Sequence, residues 1–254
     1  MKLCLNSIVR NESARIERML SSVVPYISCW AIRDTGSTDG TQDIILTYFK
    51  HRRETDGLNP VGCLFEGEFT DFSSARNAAL DNAESLPLEY DYILLVDADM
   101  ELKVDHTGWR IGDIIAADPN PPNAYRLIQR DNTISYRNTR LVKRGCGARY
   151  VGVTHEYLSV PGETASLDGA WFVDHQDGSN RKDKFIRDLK LLDADLLRDP
   201  DNPRTHFYRA QTLKDMGRFE EAAEGYMKRA ELGGWDEEVM YAWLQASRCV
   251  RQFG

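Results

Sequence analysis

The sequence lacks the local signals of several common enzyme classes. It contains no G-x-G-x-x-G, no G-x-x-x-x-G-K-[ST] and no G-x-S-x-G string, which are typical of dinucleotide oxidoreductases, P-loop kinases and α/β-hydrolases. Its five cysteines form no C-x-x-C pair, which argues against a zinc ribbon and against a secreted disulfide framework. We therefore expect a reducing, cytoplasmic setting.

Long apolar runs and an excess of positive charge are also missing. The longest clean apolar run, residues 92–96, is far shorter than the roughly 20 residues of a membrane-spanning helix. The first apolar run breaks too early for a signal peptide. Lys and Arg total 32 against 40 for Asp and Glu, so the formal net charge is -8, the wrong sign for a general phosphate-backbone binder. We expect neither a membrane span nor a nucleic-acid partner.

The first two thirds of the 254 residues alternate short apolar runs with helical spacing. The apolar runs lie at residues 3–9, 29–32, 61–65 and 92–96, and helix-spaced apolar residues lie between them. This alternation predicts an α/β fold with a largely parallel sheet, whose ligand sites lie at the carboxyl ends of the strands. Ser73 or Ser74 is predicted to cap the third helix. Residues 124–128 and 134–136 flank a turn signal and predict an antiparallel hairpin.

Past Gly178 the pattern becomes helical. Phe185, Leu189, Leu192 and Leu196 share one predicted helix face. Residues 207–226 then follow the small-residue and aromatic positions of a tetratricopeptide repeat, with a bare helical hairpin as the alternative. One repeat and part of a second cannot bury a solenoid core, so we expect either packing on the α/β part or a longer, truncated array. Two domains are predicted, 1–178 and 179–254, and the tail is a candidate surface for a homo-oligomer or a protein partner.

The strongest candidate for chemistry is Asp97-Ala98-Asp99. Two other D-x-D matches, at 193–195 and 199–201, lie in a predicted helix and in a polar turn. Only Asp97 and Asp99 follow a buried-strand run, at a sheet edge where a ligand is expected. Two carboxylates there suit Mg²⁺ or Mn²⁺, which in turn holds the oxygens of a diphosphate. The alternative is a strand that ends in solvated turn aspartates.

Four strings in order carry a family resemblance: residues 6–12 (NSIVRNE), 34–41 (DTGSTDGT), 71–77 (DFSSARN) and 96–99 (VDAD). Together they resemble a family 2 glycosyltransferase of the GT-A fold, a Rossmann-like mixed sheet with helices on both faces. The resemblance covers roughly residues 1–178, and the tail is similar to helical extensions of some members. It implies transfer of a sugar from a nucleotide-diphosphate sugar, with UDP the default, to a protein, peptide or glycan. A divalent metal and inversion at the anomeric carbon are implied as well.

The resemblance gives roles to residues at the predicted strand ends. Asp34 is similar to the acidic residue that accepts hydrogen bonds from the base or ribose, and Arg76 to an arginine near the nucleotide. Asn11 and Glu12 are candidates for the nucleotide pocket, although both could equally be helix-capping groups. Arg76 could instead form a structural ion pair with Asp71 or Asp97. Asp97 is expected to serve the nucleotide sugar and the metal, and Asp99 the metal.

The later part of the sequence offers candidates for a base and a further metal ligand. Glu156, in the segment Gly152-Val153-Thr154-His155-Glu156, is our candidate base, with His155 as a positioning or acceptor-contacting group. His175 is similar in place to the late histidine that completes the metal site in several GT-A enzymes. The E-D pair of many family members is missing between Asp99 and His155, so Asp131 and Asp174 stay open as alternative bases.

Two other functions remain open at this point. A nucleotidyltransferase would use a similar fold and metal, but Arg10-Asn11-Glu12 is a poor substitute for the glycine-rich, basic loop such enzymes need after the first strand. A non-catalytic scaffold would bind a partner through the tail and keep only a relic nucleotide site. The intact Asp34, Asp97 and Asp99 favour the enzyme.

Overall fold

The computed structural model describes residues 1–55, 60–105, 111–131, 133–178 and 183–253. Its strands are β1 (Leu3–Val9), β2 (Cys29–Asp34), β3 (Val61–Glu66), β4 (Tyr92–Leu95), β5 (Met100–Val104), β6 (Ala124–Arg130), β7 (Ser135–Lys143), β8 (Arg149–Val151), β9 (Tyr157–Ser159) and β10 (Thr164–Asp174). Its helices are α1 (Ile16–Val23), α2 (Thr41–Thr55), α3 (Phe72–Ser85), α4 (Ile111–Ala116), α5 (Lys184–Arg198), α6 (Pro203–Asp215), α7 (Phe219–Glu231) and α8 (Asp236–Phe253). A short 3-10 turn, Val24–Tyr26, follows α1.

Eight strands form one sheet in the order β3-β2-β1-β4-β7-β6-β10-β5, and β8 pairs with β9 separately. Strands β3, β2, β1 and β4 run parallel, whereas β7 runs antiparallel to β4 and β6, and β5 runs antiparallel to β10. The sheet is therefore mixed, and β6 with β7 forms the predicted hairpin. The parallel register pairs Val9 with Asp34 and Asp34 with Glu66, so the carboxyl ends of β1, β2 and β3 meet at one edge.

Helices cover both faces of the parallel part of the sheet. Side chains of a strand alternate between faces, and on β1 Leu3 and Leu5 join one buried cluster while Cys4 joins another. The first cluster contains the predicted face of α1, namely Ile16, Met19, Leu20 and Val23, all buried. The second contains Leu80 and Ala83 of α3. The predicted α/β architecture with helices on both faces is thus observed.

Helix α3 starts two or three residues earlier than the sequence suggests. It begins at Phe72, so Ser73 and Ser74 lie inside its first turn, and the prediction that one of them is the cap is wrong. Asp71 precedes the first helical residue, and Ser73 Oγ donates to Asp71 Oδ1 at 2.8 Å. Aspartate is as favourable as serine at the N-cap position of a helix. The sequence therefore left the first residue of α3 uncertain by two or three positions.

The C-terminal helices have their own buried cluster. Phe207 and Ala210 of α6 pack with Ala222 and Tyr226 of α7 and with Ala246 of α8. Asn202 caps α6 by accepting from Thr205 N at 3.1 Å.

The predicted face of α5 is only partly right. Leu192 is buried, but Phe185 is 43% exposed and the buried polar position is Asp188. An apolar spacing alone could not distinguish the side of α5 that faces the other helices.

The described chain divides into two compact units. One contains residues Met1–Thr70 and Ser74–Tyr150 and the segment from Leu158 through Gly178, and the other contains Asp71–Ser73, Val151–Tyr157 and the helices from α5 onward. The boundary predicted near Gly178 stays a prediction. Of the helices described, none combines the length and the apolar character needed to cross a membrane.

Candidate functional site

The loops after β1 and β2 are joined by side-chain hydrogen bonds. Asn11 adopts a left-handed backbone conformation with φ of 56°, which asparagine tolerates better than most residues. Its N–H donates to Ser37 Oγ at 2.9 Å, and its Oδ1 accepts from Thr38 N at 2.8 Å. Asn11 therefore supports the loop that follows Asp34.

Glu12 acts mainly at a helix start. Its carbonyl oxygen accepts from Arg15 N and Ile16 N, both at 2.9 Å, and its N–H donates to Thr41 Oγ1 at 2.8 Å. The side chain is buried, and Arg15 Nη1 lies 3.7 Å from its Oε2. These contacts join Glu12 to the starts of α1 and α2, and its place in the nucleotide pocket stays a prediction.

Asp39 is the second carboxylate of this loop. Its oxygens accept hydrogen bonds from Thr41 and from Ser13 N. Burial opposes ionisation of this carboxyl, but these hydrogen bonds outweigh it and hold the pKa of Asp39 below its ordinary value. Asp39 therefore fastens the loop to the starts of α1 and α2.

Asp34 ends β2 and lines a cleft of about 600 Å³ together with Gly36, Gln42, Glu66 and Gly67. Its Oδ1 accepts from Gly36 N and Ser37 N at 2.8 Å and from Gln42 Nε2 at 3.1 Å. Its Oδ2 is buried and has no hydrogen-bond partner among the described residues. Buried oxygens normally have partners, so this oxygen suits an N–H or O–H group of a ligand in the cleft.

The first aspartate of the D-x-D string lies between two arginines. Arg76 Nη2 lies 2.7 Å from Asp97 Oδ1, and Arg140 Nη1 lies 3.1 Å from Asp97 Oδ2. Removal from water opposes ionisation of Asp97, but the two guanidinium charges and their hydrogen bonds outweigh it and hold its pKa well below the ordinary value. The structure contains the ion pair between Arg76 and Asp97 that the sequence left open.

Arg140 and Gln129 are site residues that sequence reasoning missed. Arg140 Nη2 donates to Gln129 Oε1 at 2.6 Å, and Gln129 Nε2 donates to Asp174 Oδ2 at 3.1 Å. Arg140 is only 5% exposed. The available signal was its place directly before the apolar pair Leu141-Val142, where a buried charge needs a partner.

Asp99 lies in the turn between β4 and β5, and His175, directly after β10, is its neighbour. His175 N donates to Asp99 O at 3.1 Å, and His175 Nε2 lies 3.1 Å from Glu101 Oε2. A Cβ atom on Gly178 would lie 3.0 Å from Asp99 Oδ2, so the chain passes close to this carboxylate. Across the described residues, no three His, Cys, Asp or Glu side chains group closely enough to hold a metal by themselves.

His155 and Glu156 belong to the other unit, in the turn between β8 and β9. His155 has φ of 50°, and its ring stacks on Tyr208 with centroids 4.4 Å apart and planes 6° apart. Burial lowers the pKa of His155, and the Lys184 charge lowers it further. The Asp188 and Glu156 carboxylates raise it, but their effect is smaller. The turn therefore carries a neutral imidazole at neutral pH.

Comparisons with known proteins show which proteins this chain is similar to. Residues 7–108 match the model of the family described as glycosyl transferase family 2. The SPbeta prophage-derived glycosyltransferase SunS of Bacillus subtilis (strain 168) is 27% identical over 234 residues, which cover 88% of this chain and 51% of SunS. The glycosyltransferase SunS of Bacillus phage SPbeta gives the same values. The chain thus spans about half the length of the curated relatives it matches.

The fold also matches a solved structure. The crystal structure of S. aureus TarS 1-349 superposes with a TM-score of 0.51 and 11% sequence identity, over 100% of this chain and 92% of that chain. At this identity the match concerns the fold alone. It confirms the predicted GT-A class, a mixed sheet followed by helices.

Proposed function

Because the chain carries a domain of glycosyl transferase family 2, as its four strings predicted, we propose that it transfers a sugar from a UDP-sugar to a protein, peptide or glycan acceptor. The transfer inverts the anomeric carbon and uses a divalent metal. The observation that carries this proposal is the buried Oδ2 of Asp34 at the cleft beside β2, which has no hydrogen-bond partner in the part of the chain that the structure describes.

The preference for one nucleobase follows from the chemistry of Asp34 Oδ2. The three hydrogen bonds donated to Oδ1 fix the orientation of the carboxylate, so the nucleobase of the donor contacts Oδ2. An ionised carboxylate oxygen accepts hydrogen bonds and does not donate them. Uracil, thymine and guanine present a ring N–H on their pairing edge, whereas cytosine presents an acceptor ring nitrogen there, beside its amino group. We place this ring position opposite Oδ2. Asp34 therefore favours UDP over CDP, and the family resemblance favours UDP over GDP and dTDP.

Asp97 is the residue that organises positive charge at the proposed diphosphate site. It ion-pairs Arg76 and Arg140, and a planar guanidinium can bind a phosphate in a forked arrangement while its other edge binds a carboxylate. Arg76 retains 17% side-chain exposure and Arg140 only 6%. We therefore assign the phosphate contact to Arg76 and the support of Asp97 to Arg140.

A divalent metal fits Asp99 and His175 better than Asp97, because both oxygens of Asp97 already face guanidinium groups. Asp99 and His175 supply the oxygen and nitrogen donors that Mn²⁺ accepts. Metals of this kind are commonly held by one or two carboxylates plus the phosphates of the substrate, so a full protein cage is not required. When bound, the metal neutralises the charge that develops on the departing diphosphate.

Glu156 is the proposed base. The acceptor nucleophile loses its proton as the glycosidic bond forms, and a carboxylate within hydrogen-bond reach can take it. Glu156 lies directly after His155 in a turn of fixed geometry, and its neighbour is kept neutral by burial. A neutral imidazole next to Glu156 can donate a hydrogen bond to an acceptor without competing for its proton.

The test of the function is a thermal-shift panel with UDP, GDP, CDP and dTDP, each with Mn²⁺ or Mg²⁺ and each repeated with EDTA. We expect UDP with metal to raise the melting temperature by several degrees and EDTA to remove most of the shift. UDP-glucose, UDP-galactose and UDP-N-acetylglucosamine are then tested for UDP release. A chain that no nucleotide stabilises, and that releases no UDP, contradicts the proposal and favours the scaffold alternative.

A further inference from the structure

The turn that carries His155 and Glu156 has a backbone that needs support. Gly152 has φ of 102° and His155 has φ of 50°. Glycine accepts such angles at no cost, but an L-residue such as His155 holds a left-handed conformation only where its surroundings enforce it. The contacts around His155 are therefore informative about what this turn is for.

Arg204 of α6 supplies the first of these contacts. Its guanidinium lies 4.9 Å from the ring centre of Tyr157 and 4.8 Å from that of Tyr208, and its Nη2 donates to the His155 carbonyl oxygen at 2.5 Å. The two rings fix the plane of the guanidinium, and this fixes the direction of its N–H group. A flexible ammonium could not be oriented in this way.

Tyr208, one turn further along α6, supplies the second contact by stacking flat on the His155 imidazole. On the other side of the turn, Phe72 N donates to the Val153 carbonyl oxygen at 3.0 Å. The turn is thus held at Val153, at the His155 carbonyl and at the His155 ring. Glu156 follows directly, so these three contacts constrain its backbone position.

We propose that Arg204 and Tyr208 are positioning residues for sugar transfer, which hold the His155–Glu156 turn so that Glu156 can act as the base. This inference rests on the proposed function, because that function makes Glu156 the base. It gives α6, the first helix of the repeat-like hairpin, a part in the reaction rather than in partner binding alone.

The variants Arg204→Met and Tyr208→Leu remove the two contacts. Tyr208→Phe keeps the stacked ring, loses only the 3.4 Å hydrogen bond from Arg204 Nη2 to Tyr208 Oη, and is the conservative rescue. Arg209→Met is the matched control, because Arg209 is the next arginine on α6 but pairs with Asp193, Nε to Oδ1 at 2.6 Å. Each full-length variant is measured for amide hydrogen exchange of residues 151–157, for UDP affinity, and for UDP release from the most readily hydrolysed of the three UDP-sugars.

We expect Arg204→Met and Tyr208→Leu to speed exchange in residues 151–157 at least tenfold. The kcat per folded molecule falls at least tenfold, while the UDP affinity stays within twofold of wild type. Tyr208→Phe and Arg209→Met behave as wild type. Unchanged exchange overturns the proposal, and so does faster exchange with an unchanged kcat, since the contacts would then serve the fold alone.

Failure of the proposed function gives a different pattern. The wild-type chain would then release no UDP from any of the three sugars and would not be stabilised by UDP. That result overturns the catalytic part of this inference together with the function. A wild-type chain that is active, with variants that keep its kcat, overturns the inference alone.

Discussion

Arg76 Nη2 and Asp97 Oδ1 lie 2.7 Å apart, which joins α3, one turn after its start, to the segment that follows β4. Asp99, two residues further on, meets a different environment, with the His175 N–H on its carbonyl oxygen. The two aspartates of one D-x-D string therefore have different neighbours. Asp97 contacts two guanidinium groups, and we propose that Asp99 holds the metal together with His175.

Replacing Arg140 should weaken both the fold and nucleotide binding. Arg140→Gln leaves Asp97 with Arg76 alone and leaves Gln129 without its Arg140 donor. Breaking one side of a largely buried ion pair costs roughly 1–3 kcal/mol when another partner remains. Urea unfolding should show this loss, and UDP affinity should fall severalfold. Arg126→Gln, an exposed change on neighbouring β6, should leave both values near wild type, and equal effects of the two changes would contradict the assignment.

Asp34→Asn should change which nucleobase the chain prefers. The donors Gly36 N, Ser37 N and Gln42 Nε2 keep an oxygen at the Oδ1 position, so the new amide NH₂ takes the place of Oδ2. It then faces the N–H of uracil as a second donor, and we expect UDP affinity to fall roughly 10–100-fold. CDP binding should not fall, because an amide N–H can donate to the cytosine ring nitrogen.

Calorimetric titration of both nucleotides into wild type and Asp34→Asn measures this exchange of preference. Asp43→Asn, a carboxylate in the first turn of α2, is a control of equal charge change. If UDP and CDP lose affinity in the same proportion, Asp34 supports the loop but does not read the base.

Asp99→Asn should remove the metal-dependent part of UDP binding. With Mn²⁺ present, we expect the thermal shift caused by UDP to fall to the value that wild type shows in EDTA. The shift in EDTA itself should be unchanged, since Asp34 and Arg76 are untouched. Asp201→Asn alters another D-x-D string at an exposed position paired with Lys228 and should behave as wild type. A variant that keeps the full Mn²⁺ effect would show that Asp99 holds no metal.

The parallel half of the fold could be predicted because its signals are local. The apolar runs at 3–9 and 61–65 are strands, and the face of α1 is buried as its spacing predicts. The order of the later strands was not accessible in this way. Strand β10 inserts between β6 and β5, and this depends on pairings between residues more than 30 positions apart.

A site residue could be predicted where the neighbouring residues in the sequence determine its position. Asp34 follows a strand and precedes glycines that take positive φ at Gly36 and Gly40, so its place could be inferred. Arg140 reaches Asp97 across 43 positions of sequence. The side of β7 that it occupies is set by the register of that strand, because a shift of one residue would turn it to the opposite face.

His155 gives a pH dependence whose sign follows from its environment. Burial and the Lys184 and Arg204 charges lower its pKa below 6.5, against the opposing carboxylates of Asp188 and Glu156. The unfolded chain therefore binds a proton at this residue before the folded chain does. The contribution to stability is fully present above about pH 6.5 and is lost as the pH falls through and below that value.

The His155→Asn variant tests this dependence, since asparagine tolerates a left-handed backbone but does not titrate. Between pH 8 and pH 5, the free energy of unfolding should fall further in wild type than in the variant. Proton NMR of the imidazole should give a midpoint below 6.5, and Tyr208→Leu should move it upward because water then reaches the ring. A wild-type midpoint at or above 6.5 would contradict the lowered pKa, and a midpoint above about 7 would leave the imidazole mostly charged at neutral pH, so that His155 could not serve as a neutral donor beside Glu156.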